Sequence, residues 1–281
     1  KNSRLEELKK ITKKFFIFYK FDIQSLKNIE GIFKKHKIFK VVNLAAQAGV
    51  RDAINKPKKY LNYNINGFLN ILTLCNKYKI NHLVYASTSS VYGLNSKIPF
   101  SEQDRTDSQN QFYAITKKTN ELMAHVWGKT FNLPTTGLRF FTVYGPAGRP
   151  DMALFKFTKN IIDNKPIYLH NFGNHMRDFT YVDDVVKGIY LSLKKTPKKP
   201  HINKIYNLGF GKSMSLKYFL NLVEKYTKKR AKVINLPMQL GDIYKTSADI
   251  SLAKKELGYK PNTNIEIGVK KFVEWYKNFY K

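Results

Sequence analysis

The stretch YASTSSVYG, residues 85–93, decides how the chain folds and where its chemistry lies. It continues an apolar strand, HLVYAS, into a cluster of hydroxyl side chains, and a helix carrying Tyr113-x-x-x-Lys117 follows. Residues four apart on a helix share one face, so the ammonium of Lys117 lies near the phenol of Tyr113 and favours its ionised form. A phenol near its proton-transfer pKa can act as a general base. The pattern therefore predicts a proton-transfer site at the end of a strand.

Strands and helices alternate along the rest of the chain, which is typical of a parallel sheet covered on both faces by helices. We predict strands at residues 15–23, 40–46, 82–87, 135–143, 204–210 and 232–237. We predict helices at residues 25–36, 57–78, 113–131, 152–163, 182–193, 215–227, 251–257 and 265–280. The fold class is therefore α/β, and 281 residues with 43% hydrophobic content suffice for a buried core.

The formal net charge of +30 comes from 43 lysines and only seven arginines against 20 acidic residues. The lysines are spread over predicted helices and loops without aromatic interleaving or a nucleic-acid-binding motif. We interpret them as a solvated surface, with binding to nucleic acid or an anionic surface as the alternative. Arginine presents a planar fork that lysine cannot replace, so Arg139, Arg149 and Arg177 stand out as candidates for binding carboxylate or phosphate.

The remaining composition argues against several classes of protein. Cys75 is the single cysteine and lies in an apolar run, which favours a core residue in a reducing cytoplasm and excludes a disulfide framework. The six histidines lack metal-ligand spacing, so we expect no metal. No apolar run approaches the roughly 20 residues of a membrane span, and we expect no stable membrane insertion. We expect no nucleic-acid partner.

A dinucleotide-binding sheet usually begins with a strand, a G-x-x-G-x-x-G turn and a helix whose N-terminus binds the pyrophosphate. These 281 residues contain no such motif, and AAQAGV at 45–50 is the nearest glycine context. Either the cofactor hypothesis is wrong, or the chain starts late relative to such a fold.

Nine motifs together resemble the NAD-dependent nucleotide-sugar epimerases of the extended short-chain dehydrogenase/reductase superfamily, and bacterial UDP-glucuronate 4-epimerases in particular. They are NLAAQAGVR (43–51), NINGFLNIL (64–72), YASTSSVYG (85–93), YAITKKTNELMAH (113–125), NLPTTGLRFFTVYGP (132–146), GRPDMALF (148–155), RDFTYVDDV (177–185), LPMQLGD (236–242) and ADIS (248–251). Against that family the chain starts roughly 45 residues late, after its first two strands. The resemblance implies a Rossmann-type doubly wound parallel sheet lacking its first strands, and a smaller C-terminal α/β lobe that binds the nucleotide sugar.

The resemblance also implies the site residues. For NAD binding it points to Asp22, Ile23, Ala45, Ala46, Gln47, Asn64, the Ser87 backbone, Tyr113 and Lys117. For catalysis it points to Tyr113, Lys117 and Thr88, since Thr88 stands where the family usually has serine. For UDP-sugar binding it points to Ser89, Ser90, Thr142, Arg149, Phe155, Asn171, Arg177, Gln239 and Asp242. A plain strand-core role is an equal alternative for the two alanines.

The reaction implied is an inversion at C4, UDP-glucuronate to UDP-galacturonate. Tyr113 takes the O4 proton while hydride passes to NAD; the 4-keto sugar turns over, and hydride returns to its other face. Lys117 and the positive nicotinamide lower the tyrosine pKa. A 4-keto sugar with a C5 carboxylate tends to lose CO₂. Arg149 and Thr142 are therefore expected to hold that carboxylate out of line with the ketone.

Other readings stay open beside this one. Another nucleotide-sugar epimerase or a decarboxylase would share most of the motifs, whereas a 4,6-dehydratase is disfavoured because Ser89 and Ser90 replace the Asp-Glu pair expected there. A truncated, inactive chain acting as a partner subunit or basic binding module is the alternative of another class.

We expect a homodimer with an NAD-binding unit at 1–145 and a nucleotide-sugar-binding lobe at 146–281. The helix near 182–194 is expected to pack back on the NAD-binding unit. We further expect the isolated 281-residue polypeptide to bind NAD weakly, to aggregate and to lack activity.

Overall fold

Four parallel strands form the main sheet of the molecule, which a computed structural model describes over residues 2–12, 15–238 and 242–280. The strands are β1 (Lys40–Asn43), β2 (His82–Thr88), β3 (Thr135–Phe140) and, later in the chain, β7 (Asn203–Leu208), in the spatial order β1-β2-β3-β7. All neighbouring pairs run parallel. The expected α/β class with a parallel sheet is confirmed.

Helices cover both faces of this sheet. The helices of the first half are α1 (Asn2–Thr12), α2 (Leu26–Lys35), α3 (Val50–Asn55), α4 (Pro57–Tyr60), α5 (Gly67–Lys77) and α6 (Phe112–Phe131), and α8 (Val182–Lys194) and α10 (Ser251–Leu257) join from the second half. One apolar cluster joins α2, α5 and α6 to β2. A second cluster joins β2, β3 and β7 to α8 and α10. Strands β2 and β3 are thus buried from both sides, as their apolar sequences require, whereas β1 at the edge keeps Lys40 and Val42 exposed.

The second half of the chain builds two smaller sheets around its own core. Strands β4 (Thr142–Tyr144), β6 (Met176–Tyr181) and β8 (Ser213–Ser215) form one sheet, and β5 (Pro166–His170) pairs with β9 (Lys232–Leu236). Helices α7 (Ala153–Ile162), α9 (Leu216–Thr227) and α11 (Ile265–Phe279) enclose an aromatic core in which Phe179 stacks on Phe219 at 4.2 Å. Helix α8, strand β7 and helix α10 return from this half of the chain to the parallel sheet.

Some predicted elements differ from the observed ones. The predicted strand at 15–23 is wrong: residues 16–22 have no regular structure, because no described strand pairs with them. The predicted strand 135–143 divides at Phe141 into β3 and β4, which belong to different sheets. The predicted helix 57–78 is interrupted by a π-helical segment, Leu61–Asn66. Strands β5, β6 and β8 were not predicted, and the outer edge of β1 pairs with no described strand.

Close packing between β2 and β3 requires glycine at position 137. Gly137 pairs with Tyr85 across the two strands, and a Cβ there would lie 2.6 Å from the buried Tyr85 hydroxyl. We expect Gly137→Ala to overpack this contact and to cost roughly 1–3 kcal/mol of stability. Urea unfolding should show a lower midpoint at an unchanged m-value.

Gly31→Ala is the matched control, because a Cβ at this position of helix α2 meets nothing within 4 Å. It should raise the unfolding free energy by roughly 0.5–1 kcal/mol, since alanine is the better helix former. Equal midpoints for the two variants would contradict the packing argument.

Candidate active site

The carboxyl end of β2 holds the hydroxyl cluster in a fixed turn. Thr88 is buried, and its Oγ1 accepts the N–H of Ser90 at 3.2 Å as the cap of a 3₁₀ turn, Ser89–Tyr92. Ser89 and Ser90 are half-buried. Gly93 ends the turn at φ 56°, where a Cβ would overlap the Ser108 carbonyl oxygen. Thr88 is therefore held in one place, with Ser89 and Ser90 beside it.

Helix α6 begins at Phe112 and brings Tyr113 and Lys117 to the same place in its first two turns. Tyr113 is half-buried, the Thr88 hydroxyl acts to lower its pKa, and its ring packs edge-on against Tyr60 at 6.3 Å between ring centres. The Lys117 side chain is almost fully buried, and it has no hydrogen-bond or ion-pair partner among the described residues. The structure thus brings together Thr88, Tyr113 and Lys117, as the sequence predicts.

Burial shifts the pKa values of both groups. Burial raises the pKa of Tyr113, and the opposing effects of the Thr88 hydrogen bond and the Arg149 guanidinium do not cancel it. Burial also lowers the pKa of Lys117 to about 8, with Glu121 acting in the opposite direction. In the protein alone, desolvation of Tyr113 therefore outweighs the nearby groups that lower its pKa, and the joint effect of Lys117 and a bound nicotinamide stays a prediction.

The loop after β1 supplies the next wall of the site. Ala45 is exposed, whereas Ala46 and Gln47 are half-buried. Asn64, in the π-helical segment, accepts the Gln47 N–H at 2.8 Å and donates to the Gln47 carbonyl at 3.0 Å and to Thr116 Oγ1 at 2.9 Å. Asn64 thereby holds the Gln47 backbone against α6, and its contact with a ribose stays a prediction.

The turn at Asp22 and Ile23 is anchored to the same helical region. Asp22 accepts hydrogen bonds from the Gln24 N–H at 2.8 Å and from the Tyr63 hydroxyl at 3.0 Å, and these bonds lower the pKa of its carboxyl group. Ile23 packs on Gly67, where an added Cβ would lie 2.7 Å from its side chain. Asp22 stays exposed and open to a ligand.

Three predicted substrate residues line one pocket of about 40 Å³: Thr142, Arg149 and Phe155. The Arg149 guanidinium donates to both carboxylate oxygens of Asp151 and, at 3.1 Å, to the carbonyl oxygen of Ala48. A Cβ at Gly49 would lie 3.5 Å from Arg149 Nη2 and 3.3 Å from the Tyr60 hydroxyl. The Tyr60 ring in turn packs on Tyr113, so the guanidinium lies on the Tyr113 side of the pocket, and its charge lowers the pKa of that phenol. The structure therefore joins the predicted carboxylate group to the predicted proton-transfer group.

The predicted diphosphate and ribose contacts form a separate group. Arg177 Nη1 donates to the carbonyl oxygens of Met176 and Tyr244, each at 3.0 Å. Burial lowers the pKa of Arg177, and Asp242, which also lies 3.7 Å from His175, opposes that shift. Asn171 lies in the turn after β5 and shares no hydrogen bond with this pair. Gln239 lies outside the described residues.

Two important residues were missed by the sequence reasoning. Glu121 lies on α6 one turn beyond Lys117, and it forms a buried ion pair with Arg139 of β3. Tyr60 donates its hydroxyl to the Gly49 carbonyl at 2.8 Å and supports the Tyr113 ring. The spacing Tyr113, Lys117, Glu121 along one helical face was the signal that could have found Glu121.

Residues elsewhere offer little competing chemistry. Cys75 is a buried core residue, as predicted, and burial raises the pKa of its thiol to about 12. Within residues 2–12, 15–238 and 242–280, no three His, Cys, Asp or Glu side chains are arranged to hold a metal ion. None of the helices in that part of the chain is both long enough and apolar enough to cross a membrane.

A dinucleotide fits the residues present on its nicotinamide side. The buried Lys117 ammonium has no acceptor in the described chain, and ribose hydroxyls would supply one. The carboxyl ends of β1 and β2, where open α/β sheets bind ligands, carry Ala45, Thr88 and their neighbours. The glycine turn for the pyrophosphate is not among these 281 residues.

The depressed pKa of Lys117 predicts how stability changes with pH. Below pH 8 both the native and unfolded states hold the proton, and between pH 8 and 10.5 only the unfolded state does. The free energy of unfolding contributed by this group therefore rises with pH across that window. We expect the urea midpoint of the wild type, measured relative to that of Lys117→Met, to rise from about pH 7 to about pH 10.

Lys129→Met, at an exposed position of the same helix, is the control and should stay parallel to the wild type. Parallel curves for Lys117→Met as well would show that Lys117 does not titrate in this window.

The comparisons with known proteins agree with this geometry. The sequence model of the NAD dependent epimerase/dehydratase family matches residues 1–209. Protein CapI of Staphylococcus aureus is 45% identical over 291 residues, covering 98% of this chain and 87% of that protein. UDP-glucuronate 4-epimerase 4 of Arabidopsis thaliana is 44% identical over 274 residues, covering 92% of this chain and 62% of the plant protein.

A solved structure shows the same fold. The UDP-glucuronic acid 4-epimerase of Bacillus cereus, in complex with UDP-glucuronic acid and NAD, superposes with a TM-score of 0.90 at 31% identity. The match covers 99% of this chain and 87% of the Bacillus chain. The parallel sheet and the smaller sheets of the second half therefore share the fold of that structure.

Proposed function

The chain belongs to the NAD-dependent epimerase/dehydratase family, and we propose that it inverts C4 of a UDP-uronic acid, converting UDP-glucuronate to UDP-galacturonate. One observation carries the choice of substrate. The Arg149 guanidinium lines a pocket with Thr142 and Phe155, and it lies near the Tyr60 hydroxyl, whose ring packs on Tyr113. A carboxylate recognised there is adjacent to the carbon that reacts.

Bound NAD supplies the hydride acceptor and donor for the two half-reactions at C4. Tyr113 takes the proton from O4 and later returns it, and the Thr88 hydroxyl connects the phenol to the sugar through its hydrogen bond. Lys117, on the same helical face, donates to the ribose hydroxyls. Asp22 and Ile23 face the adenine, the 45–47 backbone follows the nucleotide, and Arg177 and Asp242 hold the diphosphate and ribose of the UDP-sugar.

Arg149 gives the site its preference for a uronic acid. Its present partner, Asp151, is 56% exposed, and such pairs are worth only about 0–1 kcal/mol, so a substrate carboxylate replaces Asp151 at little cost. A bidentate contact fixes the plane of the carboxylate as well as its charge. With Thr142 as a second partner, it keeps the bond to CO₂ out of line with the ketone during the reaction.

The assembly and its setting belong to the same proposal. The NAD-binding unit is 1–145 and the sugar-binding lobe is 146–281, with α8, β7 and α10 returning to the first sheet. A homodimer is supported by an exposed apolar stripe on α6, formed by Ile115, Leu122 and Val126. The single, buried thiol of Cys75 favours a cytoplasmic location.

Tyr113→Phe removes the base and keeps the ring that packs on Tyr60. In the protein as its gene encodes it, we expect a loss on the order of 10² to 10⁴ in kcat, with UDP-sugar binding retained. Nuclear magnetic resonance of the products measures turnover directly. Tyr190→Phe, at an exposed position, is the matched control, and near-normal turnover of the Tyr113 variant would remove the assigned role.

Arg149→Lys keeps the charge and removes the fork. If Arg149 orients the C5 carboxylate, the variant should release decarboxylated, xylose-type sugar alongside slower epimerisation, and the product ratio measures it. Arg230→Lys is the control, because Arg230 is an exposed arginine paired only with Glu224. An unchanged product ratio for Arg149→Lys would mean that Arg149 has only a packing role in this pocket. Xylose-type sugar as the main product of the wild type would instead assign a decarboxylase.

A further inference from the structure

A single buried carboxylate ties the catalytic helix to two strands of the sheet. Glu121 Oε1 accepts the Ser87 hydroxyl at 2.7 Å and Arg139 Nε at 2.9 Å, and Oε2 accepts Arg139 Nη2 at 2.9 Å. The Arg139 and Glu121 side chains are only 3% and 2% exposed. Ser87 and Arg139 are opposite partners in the β2–β3 ladder. The carboxylate therefore fixes α6 against a defined point of both strands.

This point lies next to the reacting groups on each side. Ser87 immediately precedes Thr88 in β2, and Glu121 follows Lys117 and Tyr113 at four-residue intervals along one face of α6. A shift of the helix along the strand would change the separation of the Tyr113 phenol and the Thr88 hydroxyl directly. A misplacement of about 1 Å in a proton-transfer site can cost on the order of 10²-fold in rate.

The pair is also rigid. Arg139 lies over the Tyr92 ring at 4.8 Å, and the Tyr92 hydroxyl donates to Asn207 Oδ1 at 2.6 Å, so the fourth strand, β7, joins the same network. Burial on its own would raise the pKa of Glu121, but Arg139 and Ser87 lower it further than burial raises it, and the group stays ionised. A bidentate, charge-assisted contact of this kind has one geometry.

We propose that Glu121 is a positioning residue of the active site, which sets the separation between the Thr88 end of β2 and the Tyr113–Lys117 face of α6 by holding Ser87 and Arg139 on one carboxylate. The proposal rests on the proposed function in that the proton crosses this separation. Glu121 does not itself touch the substrate or the cofactor.

Ser87→Ala tests it most cleanly, because it removes one contact to the carboxylate and leaves the ion pair and the Ser87 backbone in place. In the natively encoded protein with NAD bound, we expect kcat to fall by about 10-fold to 100-fold, while KM for the UDP-sugar and the affinity for NAD stay within about two-fold. Glu121→Asp, which keeps the charge but shortens the side chain, should lower kcat in the same way. The appearance of reduced cofactor in a single turnover reports the slowed step.

Lys118→Gln is the matched control. Lys118 also faces Glu121, at 3.5 Å, but reaches it from the helix surface and bonds to neither strand. Its kcat should equal that of the wild type. Normal turnover of Ser87→Ala would overturn the proposal, and so would an equal loss in Lys118→Gln, or a loss that vanishes when rates are normalised to the folded, NAD-bound fraction. Normal turnover of Tyr113→Phe would instead remove the proposed function.

Discussion

The pairing of β2 on both of its edges is the constraint on which the site depends. Its residues bond to β1 on one side and β3 on the other, in parallel, and helices bury it from both faces. Such a strand cannot slide by one residue without turning its buried side chains to the wrong face. Its last residue, Thr88, is therefore fixed where parallel strands diverge and leave room for a ligand. Everything else in the site is placed relative to that residue.

Burial decides the electrostatics of the site more than nearby charge does. Glu121 and Arg139 are both buried and form a bidentate ion pair that keeps Glu121 ionised, although Arg139 Nη1 has no hydrogen-bond partner among the described residues. Lys117 is equally buried but has no such ion pair among the described residues, and its pKa falls to about 8. A buried titratable group whose pKa is shifted by desolvation is a candidate for function, because a ligand can supply the partner that the fold does not. The contrast separates the carboxylate that holds the helix from the ammonium that we propose for cofactor binding.

The spacing of apolar residues predicted those helices and strands whose limits are set by their own sequence. Helix α6 begins one residue before its predicted start, and β2 ends one residue after its predicted end, because apolar periodicity marks both. The strand predicted at 15–23 failed because a strand exists only with a neighbour, and no neighbour is visible in the apolar run FFIFYKFDI. Strand β6 was missed because its sequence, MRDFTY, interrupts its apolar residues with charge.

The site divides in the same way. The three residues Thr142, Arg149 and Phe155 line one pocket, since strand β4, the loop after it and the start of α7 follow one another within 14 residues of the chain. The sequence motifs could not show that the Asn64 side chain hydrogen-bonds to the Gln47 backbone, or that burial raises the pKa of Tyr113. Both effects depend on residues distant in sequence. Burial and hydrogen bonding between distant residues are properties of the fold, and a local motif contains only one of the two residues that come into contact.

Two of the seven arginines in this lysine-rich chain show why arginine is used in place of lysine. Arg139 spends its fork on Glu121 inside the protein, where removing either partner would strand a buried charge. Arg149 makes the same bidentate contact with Asp151, but that pair is exposed and a ligand can break it cheaply. Lysine could satisfy neither geometry, since it lacks the planar fork. The same bidentate contact is therefore permanent where it is buried, at Arg139, and open to exchange where it is exposed, at Arg149, which is why we propose Arg149 for binding the substrate carboxylate.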